Sequence, residues 1–321
     1  MKTNHRTGEI FPRRKKRKIV LALGGGGVRG VSHVGVLEVL EKEGIPVARI
    51  VGTSFGAVVG GMYASDPSVS RLRNVLLQFL DGPDFEKTRL DFLRRSLGEG
   101  RRYHLVRQIK DFARRGVLFG LSVTRGYFIS REEFGRTLSA LLPDIDIGET
   151  KIPFRCVATD LISGEPAVLD RGGLREAVQA SCSVPGVFQP IERGGALLVD
   201  GGWVGPVPVG PARVDPAELV IGVDSSEDLS FPREYGSGLQ LVVRSHDISK
   251  RCLNRVLLRR ADLVIRPEIG DIHWTHFAKA PDCIERGREA GVRALPEILK
   301  ALSEGPDAGR GVPPRRGNQR D

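Results

Sequence analysis

The feature that most constrains the fold is a repeated one: an apolar strand-like run, then a turn crowded with glycine, then a stretch with helical periodicity. The first copy is Lys18-Ile19-Val20-Leu21-Ala22-Leu23 leading into Gly24-Gly25-Gly26-Gly27-Val28-Arg29-Gly30. The helix after it is read from Val31, Val34, Leu37 and Val39-Leu40 at three-to-four spacing, with Glu38, Glu41 and Glu43 on the exposed side and Gly44 as its stop. The second copy is Ile50-Val51, then Gly52-Thr53-Ser54-Phe55-Gly56, then Ala57-Val58-Val59. Further strand-like runs at Phe154–Ala158, Leu197–Val199, Leu219–Val223 and Leu263–Ile265 alternate with helical or loop-rich stretches, and the second copy's strand is read as Ala48–Val51. This alternation predicts an α/β sheet with much parallel character, closed by a helix over Cys283 to Leu299. Such sheets bind ligands outside the carboxyl ends of their strands, where Gly25 to Gly27, Ser54, Asp160, Asp200 and Asp224 all fall.

Gly52-x-Ser54-x-Gly56 at a strand-to-helix turn is the setting of an activated serine nucleophile, because a strained apex leaves no room for side chains beside it. The glycine turn upstream presents bare backbone N–H groups at a helix start, which form an anion site. Three chemistries use such a site. Dinucleotide binding matches Gly25-x-Gly27-x-x-Gly30 but needs an acid at the end of the second strand, and that strand ends in Val51-Gly52-Thr53-Ser54. A phosphate-cradling loop needs Gly-Lys-Ser/Thr, whereas Gly30 is followed by Val31-Ser32. An oxyanion hole, whose N–H groups bind the oxygen that turns negative when a serine attacks an ester, is the reading that also uses Ser54.

Three motifs stand in order here: Gly25-Gly26-Gly27-Val28-Arg29-Gly30, Gly52-Thr53-Ser54-Phe55-Gly56, and Asp200-Gly201-Gly202 entered from Ala196-Leu197-Leu198-Val199. Two weaker blocks accompany them, Ala158-Thr159-Asp160-Leu161 with Ser163-Gly164, and Ala180-Ser181-Cys182-Ser183-Val184-Pro185-Gly186-Val187-Phe188 ahead of Pro190. In these the chain resembles the patatin-like phospholipase family over roughly residues 18 to 300. The resemblance implies a three-layer fold with a central, largely parallel sheet flanked by helices. It also implies a lipid acyl hydrolase with a Ser–Asp dyad, Ser54 as nucleophile and Asp200 as base, an oxyanion hole around Gly25, Gly26 and Gly27, and no metal or organic cofactor. Arg29 is then expected either to steady the loop or to meet a phosphate headgroup, with a salt bridge to an acid on a neighbouring helix as the plainer role.

The residues themselves favour Asp200 over Asp160 and Asp224, which lack paired glycines; Asp224 is expected to form a local turn with Ser225-Ser226. A histidine base in α/β-hydrolase order would have to be His246, His273 or His276, none in a recognisable glycine turn at a strand end. His104 lies in a basic segment, and His33 sits near enough to the glycine loop for a structural role.

A chain of 321 residues with 40% apolar content buries a full core as one domain. The expected organisation is a basic tail over 1–18, a catalytic domain over 19–300 with a helical lid or cap over 65–150, and a disordered tail over 301–321. The start lacks the apolar core of a signal peptide, and no stretch is long and apolar enough to span a bilayer. Cys156, Cys182, Cys252 and Cys283 lack metal-like spacing and read as free thiols. The net charge of +10 concentrates in Arg13 to Lys18 and in Arg94 to Arg125, where apolar residues recur at helical spacing. Such segments suit an anionic membrane surface better than nucleic acid, so a cytoplasmic protein with peripheral membrane contact and an acyl-ester substrate is expected. The competing reading is a catalytically silent protein of the same fold that binds membrane or nucleic acid through these segments. The sequence assigns no oligomeric state.

Overall fold

The computed structural model describes residues 17–86, 88, 126–229 and 238–304. Arg13 to Lys16, Arg94 to Arg125 with His104, and the tail from 305 lie outside the described residues. Arg17 is not part of a solvated tail. Its guanidinium donates to the carbonyls of Ala217 and Glu218 and lies 3.5 Å from Asp262, which ties this end of the basic run to the body.

The eight strands described are β1 (Ile19–Leu23), β2 (Val47–Thr53), β3 (Phe154–Asp160), β4 (Pro166–Leu169), β5 (Ile191–Arg193), β6 (Ala196–Asp200), β7 (Leu219–Val223) and β8 (Leu263–Ile265). They form one sheet in the order β5-β6-β3-β2-β1-β7-β8, with β4 also paired to β3. The pairs β3–β2, β2–β1, β1–β7 and β7–β8 are parallel, while β4, β5 and β6 make antiparallel pairs at one side. The sheet is therefore mixed but mostly parallel. β1, β7 and β8 have the bounds read from the sequence. β4 and β5 went unread: β4 is a four-residue strand that alternates exposed and half-buried positions and begins with proline, and β5 is only three residues long.

The helices described are α1 (Ser32–Lys42), α2 (Phe55–Ser65), α3 (Val69–Asp81), α4 (Pro83–Glu86), α5 (Arg131–Ser139), α6 (Leu174–Ser181), α7 (Val209–Ala212), α8 (Gly238–Leu258) and α9 (Ala280–Ser303). Period-2 alternation along β1 separates the layers. Ile19, Leu21 and Leu23 join a large core with α1, α2, α3 and α9, while Val20 and Ala22 join a smaller one with Val209 and Ala212 of α7 and Leu258 of α8. Being apolar on both faces is what a central parallel strand requires. α1 is preceded by a 3-10 turn, Gly27–Val31, and is followed by Gly44 at φ 63°, a left-handed residue that stops it as expected.

Within the expected 65–150 cap, the described parts are packed into the domain: Leu72, Leu76 and Leu80 of α3 and Phe134 and Leu138 of α5 are buried core residues. No helix among the described residues is long and apolar enough to cross a membrane.

Candidate active site

β1 and β2 are adjacent parallel strands at the middle of the sheet, so the two glycine turns that leave their carboxyl ends lie side by side. Ser54 sits on the β2–α2 turn at φ 53° and ψ −127°, the one non-glycine residue with positive φ among the described residues. A strained apex of this kind persists only where neighbours over-determine it. Here the Ser54 N–H donates to Ser181 Oγ at 3.0 Å, and Ser181 Oγ–H donates to the Val157 carbonyl at 2.7 Å. The Ser54 carbonyl accepts from Ala57 and Val58 to start α2. Glycine is required on both sides: a Cβ on Gly52 would lie 2.5 Å from Ala57 Cα, and one on Gly56 would meet the Leu23 carbonyl.

β6 delivers Asp200 to the same point from the other side. Its main chain is fixed by Asp200 N–H donating to the Ser183 carbonyl at 2.9 Å and by Thr159 Oγ1 donating to the Asp200 carbonyl at 2.8 Å. The carboxylate is buried, 5% exposed; Oδ1 accepts from Gly202 N–H at 2.7 Å and Oδ2 has no hydrogen-bond partner. Burial pushes the pKa of Asp200 up, while the Lys250 ammonium, the Ser54 side chain and the Gly202 N–H draw it back down. Ser54 is thus an electrostatic neighbour of the carboxylate, and the side-chain bond between them has not closed to hydrogen-bond geometry.

The glycine turn supplies donors unevenly. The Gly25 N–H is engaged by the Pro206 carbonyl at 3.0 Å, so Gly25 is not a free donor, against the expectation for it. Its contribution is clearance, since a Cβ there would lie 3.0 Å from Ser54 Cβ. The N–H groups of Gly26 and Gly27 have no acceptor among the described residues. The turn is braced from beneath by His33, whose Nε2 lies 2.7 Å from the Gly24 carbonyl, and by Ser225 Oγ, which donates to the Gly25 carbonyl at 2.9 Å. Burial lowers the His33 pKa to about 4, so the ring is neutral and Nε2 carries the donated proton.

Arg29 points inward. It is 7% exposed, donates to the Ile272 carbonyl at 3.4 Å and lies 3.4 Å from Glu227. That is the loop-steadying arrangement, with its acid on the loop after β7 and not on a helix. Asp224 forms the expected local turn, accepting from Ser226 N–H and Oγ–H, and also from Asn254. The histidines do not make a triad: no hydrogen bond from His33, His246, His273 or His276 to Ser54 or Asp200 is found among the described residues. His246 stacks on Trp203, and His273 Nδ1 pairs with Thr275 Oγ1. The four cysteines are free thiols, Cys252 exposed and the others buried.

Two residues of the site were missed from the sequence. Ser181 belongs to a block that had been noted, and its signal was a serine in an otherwise apolar helix end. Lys250 of α8 had none, being one lysine among several cations; its Nζ lies 3.0 Å from where a Gly202 Cβ would sit.

Beside Ser54 opens an apolar cavity of about 100 Å³, walled by Phe55, Leu76, Phe79, Phe85, Phe134 and Phe188 among others. Edge-on contacts of Phe85 with Phe79 and Phe277, and stacking of Phe134 on Phe188, hold that wall. A larger cleft of about 850 Å³, lined by Asp224, Arg251, Asn254 and Arg266, contains neither Ser54 nor Asp200. Among the described residues no group of three or more His, Cys, Asp or Glu side chains is arranged to hold a metal ion.

Comparison with known proteins follows the same lines. An uncharacterized NTE family protein of Mycobacterium tuberculosis is 31% identical over 208 residues, covering 64% of this chain and 48% of that protein. Lysophospholipase NTE1 of Saccharomyces cerevisiae is 32% identical over 222 residues, covering 69% of this chain and 12% of that protein. The chain thus spans about half the length, or less, of the curated relatives it matches. The crystal structure of VipD from Legionella pneumophila superposes with a TM-score of 0.48 at 15% identity, over 88% of this chain and 67% of that one. The family model described as Patatin-like phospholipase matches residues 21–213, which include the glycine turn, Ser54 and Asp200, and the chain belongs to the patatin-like phospholipase family.

Proposed function

We propose that this chain is a lipid acyl hydrolase, of phospholipase A, lysophospholipase or esterase type, acting through a Ser54–Asp200 dyad. The observation that carries the reading is the convergence on one point of a strained serine, a buried carboxylate with an unpartnered oxygen, and an apolar cavity. The name of the yeast relative supports a lysophospholipid as substrate class.

In this mechanism the acyl chain lies in the aromatic cavity and its carbonyl carbon faces Ser54 Oγ. Asp200 takes the hydroxyl proton as Oγ forms its bond to carbon, and the carbonyl oxygen becomes negative against the N–H groups of Gly26 and Gly27. Collapse of that adduct breaks the ester C–O bond, and Asp200 returns its proton to the departing alcohol. The acyl group is then on Ser54. Water, deprotonated by Asp200, adds to the acyl-serine, and the second collapse releases the fatty acid and restores the hydroxyl. Each oxyanion donor is worth about 3 to 4 kcal/mol by comparison with measured cases. The ring nitrogen of a triad is absent from this scheme, so the carboxylate itself must be basic enough to take a proton, which its burial promotes.

The test is labelling with a fluorophosphonate, which reacts with activated serines, on the purified wild type, Ser54→Ala and Asp200→Asn, with the adduct located by peptide mass spectrometry. An adduct on Ser54 that drops sharply in Asp200→Asn supports the dyad. A folded wild type that takes no label refutes it and moves the membrane- or nucleic-acid-binding reading forward.

A further inference from the structure

The Asp160 block has no part in the chemistry, yet its turn is unusually well fixed. The carboxylate accepts from Ile162 N–H at 3.1 Å, Ser163 N–H at 3.3 Å, Ser163 Oγ–H at 2.7 Å and, from the neighbouring strand β6, Leu197 N–H at 3.1 Å. What this turn holds up is two aliphatic side chains in water, Leu161 at 53% and Ile162 at 70% exposure. They project from the carboxyl end of β3, past the level of Ser54.

A second such feature stands on α8, the helix that follows β7. α8 runs back along the sheet from the carboxyl edge. Near its start Arg244 donates to the Leu229 carbonyl, further along Asn254 donates to Asp224, and at its end Leu258 packs near Gly222 of β7. His246 of the same helix stacks on Trp203 and Lys250 lies beside the Gly202 turn, so the first turns of α8 reach beyond the carboxyl edge of the sheet, and there Leu241, Val242 and Val243 are exposed at 54, 66 and 52%. The turns carrying Ser54 and the glycines leave the same edge of the sheet, from β2 and β1.

We propose that these two projections are an interfacial docking surface, and that its partner is a lipid bilayer containing anionic lipid. This rests on the lipid-hydrolase reading for its purpose. Two separate apolar projections beyond the edge that carries Ser54 suit a broad, soft apolar phase rather than a single peptide. The charge on α8 selects the surface: the helix carries Arg244, Lys250, Arg251 and Arg255 against Asp247 alone, and Arg244 stands next to the exposed apolar turn. A second copy laid on this face would bring like charges together; anionic headgroups neutralise them.

The experiment uses the full chain carrying Ser54→Ala, so that lipid is not consumed, and measures co-sedimentation with vesicles of phosphatidylcholine alone or with about 30 mol % phosphatidylglycerol. The parent binds the mixed vesicles more tightly. The pairs Leu161→Ser with Ile162→Ser, and Leu241→Ser with Val242→Ser, each lower partitioning roughly tenfold. Together they lower it roughly a hundredfold, since the two pairs sit on separate elements and act independently. Ile162→Trp raises it severalfold. With Ser54 restored, the same variants turn over a soluble ester like the wild type, which also shows that they are folded. Unchanged partitioning in the fourfold variant overturns the proposal, as does equal binding to both vesicle types, or loss of a concentration-dependent dimer in place of vesicle binding. The two readings fail separately: vesicle binding without hydrolysis of any ester sinks the hydrolase, and hydrolysis with unchanged vesicle binding sinks the docking surface.

Discussion

Replacing Lys250 by glutamine should move the acid limb of the pH–rate profile upward, and the structure sets how far. In the proposed mechanism Asp200 acts as a base only when ionised, and its burial works against that; of the influences opposing burial, the Lys250 ammonium is the largest. Lys250 Nζ and Asp200 Oδ1 lie 3.0 and 2.9 Å from the same point above Gly202, so they are no more than about 6 Å apart, near enough to favour the carboxylate without a direct ion pair. At about 5 Å and an effective dielectric near 20, two unit charges interact by about 3 kcal/mol. Lys250 is half-buried, and solvent screening leaves about 1 kcal/mol of that, or about fivefold in the ionised fraction on the acid limb. The assay is kcat/KM for a soluble aryl ester across the acid and neutral range. Lys250→Gln should lose severalfold activity on the acid limb and little on the plateau, with the limb displaced toward higher pH by somewhat under one unit. Lys250→Arg should keep the wild-type limb, because the charge remains. An unmoved limb in the glutamine variant, or a loss that is uniform across pH, would refute the electrostatic argument.

Three further outcomes follow from the same geometry. Asp200→Asn should abolish turnover yet melt higher: a carboxyl whose folded pKa lies above its unfolded value costs stability as it ionises, so the difference in Tm, a few degrees, should open as pH rises and close near about pH 4. His33 behaves in the opposite sense, its folded pKa of about 4 lying below the ordinary histidine value of 6.5, so its stabilising contribution is complete above the unfolded pKa and is lost as pH falls through the folded one. That amounts to about 3 kcal/mol, and His33→Gln should flatten the pH dependence of the urea midpoint over this window. Arg29→Ala should reduce turnover of a phospholipid and of a soluble ester by similar factors, because the side chain braces the turn through Glu227 and Ile272; a loss confined to the phospholipid in parallel kinetics would restore the headgroup role.

The parts of this molecule that were legible in the sequence are those where local rules are broken in a visible way. Glycines packed around Ser54 and before Val28 make sense only at turns that backbone must approach closely, and Asp200 before paired glycines is an acid where an apolar strand ends. Period-2 alternation could not mark β1 or β7, which are buried on both faces, but continuous apolar runs bounded by turn residues gave the strand bounds. What stayed hidden depends on partners remote in sequence. That Gly25 gives its N–H to Pro206 is decided by a loop about 180 residues away. Arg29 turned inward because Glu227 waits on the loop after β7, and Lys250 reaches the Asp200 turn only because α8 folds back across that face. β4 and β5 are short edge pairings, specified by the register of β3 and β6 more than by their own residues.

Two features here are individually unfavourable, a serine at positive φ and a buried carboxylate oxygen without a partner, and beside them two half-exposed glycine N–H groups lack a protein acceptor. The first two each cost on the order of 1 to 3 kcal/mol, enough that a free-standing loop would relax out of them. They persist because the scaffold fixes main chain and leaves side chains uncommitted. Ser181 holds the Ser54 N–H, the Ser183 carbonyl holds the Asp200 N–H, and Thr159 holds the Asp200 carbonyl, so the α6 terminus and β3 together set the spacing of the two reactive groups through their backbones. Neither the Ser54 hydroxyl nor Asp200 Oδ2 is spent in doing so. In the proposed mechanism the polar valences left open beside Ser54 are those that an ester undergoing attack would fill: a proton acceptor at Asp200 Oδ2 and donors for the oxygen that gains charge at Gly26 and Gly27. On the proposed mechanism the strain and the unmet hydrogen bonds are therefore one arrangement, relieved most fully by the transition state.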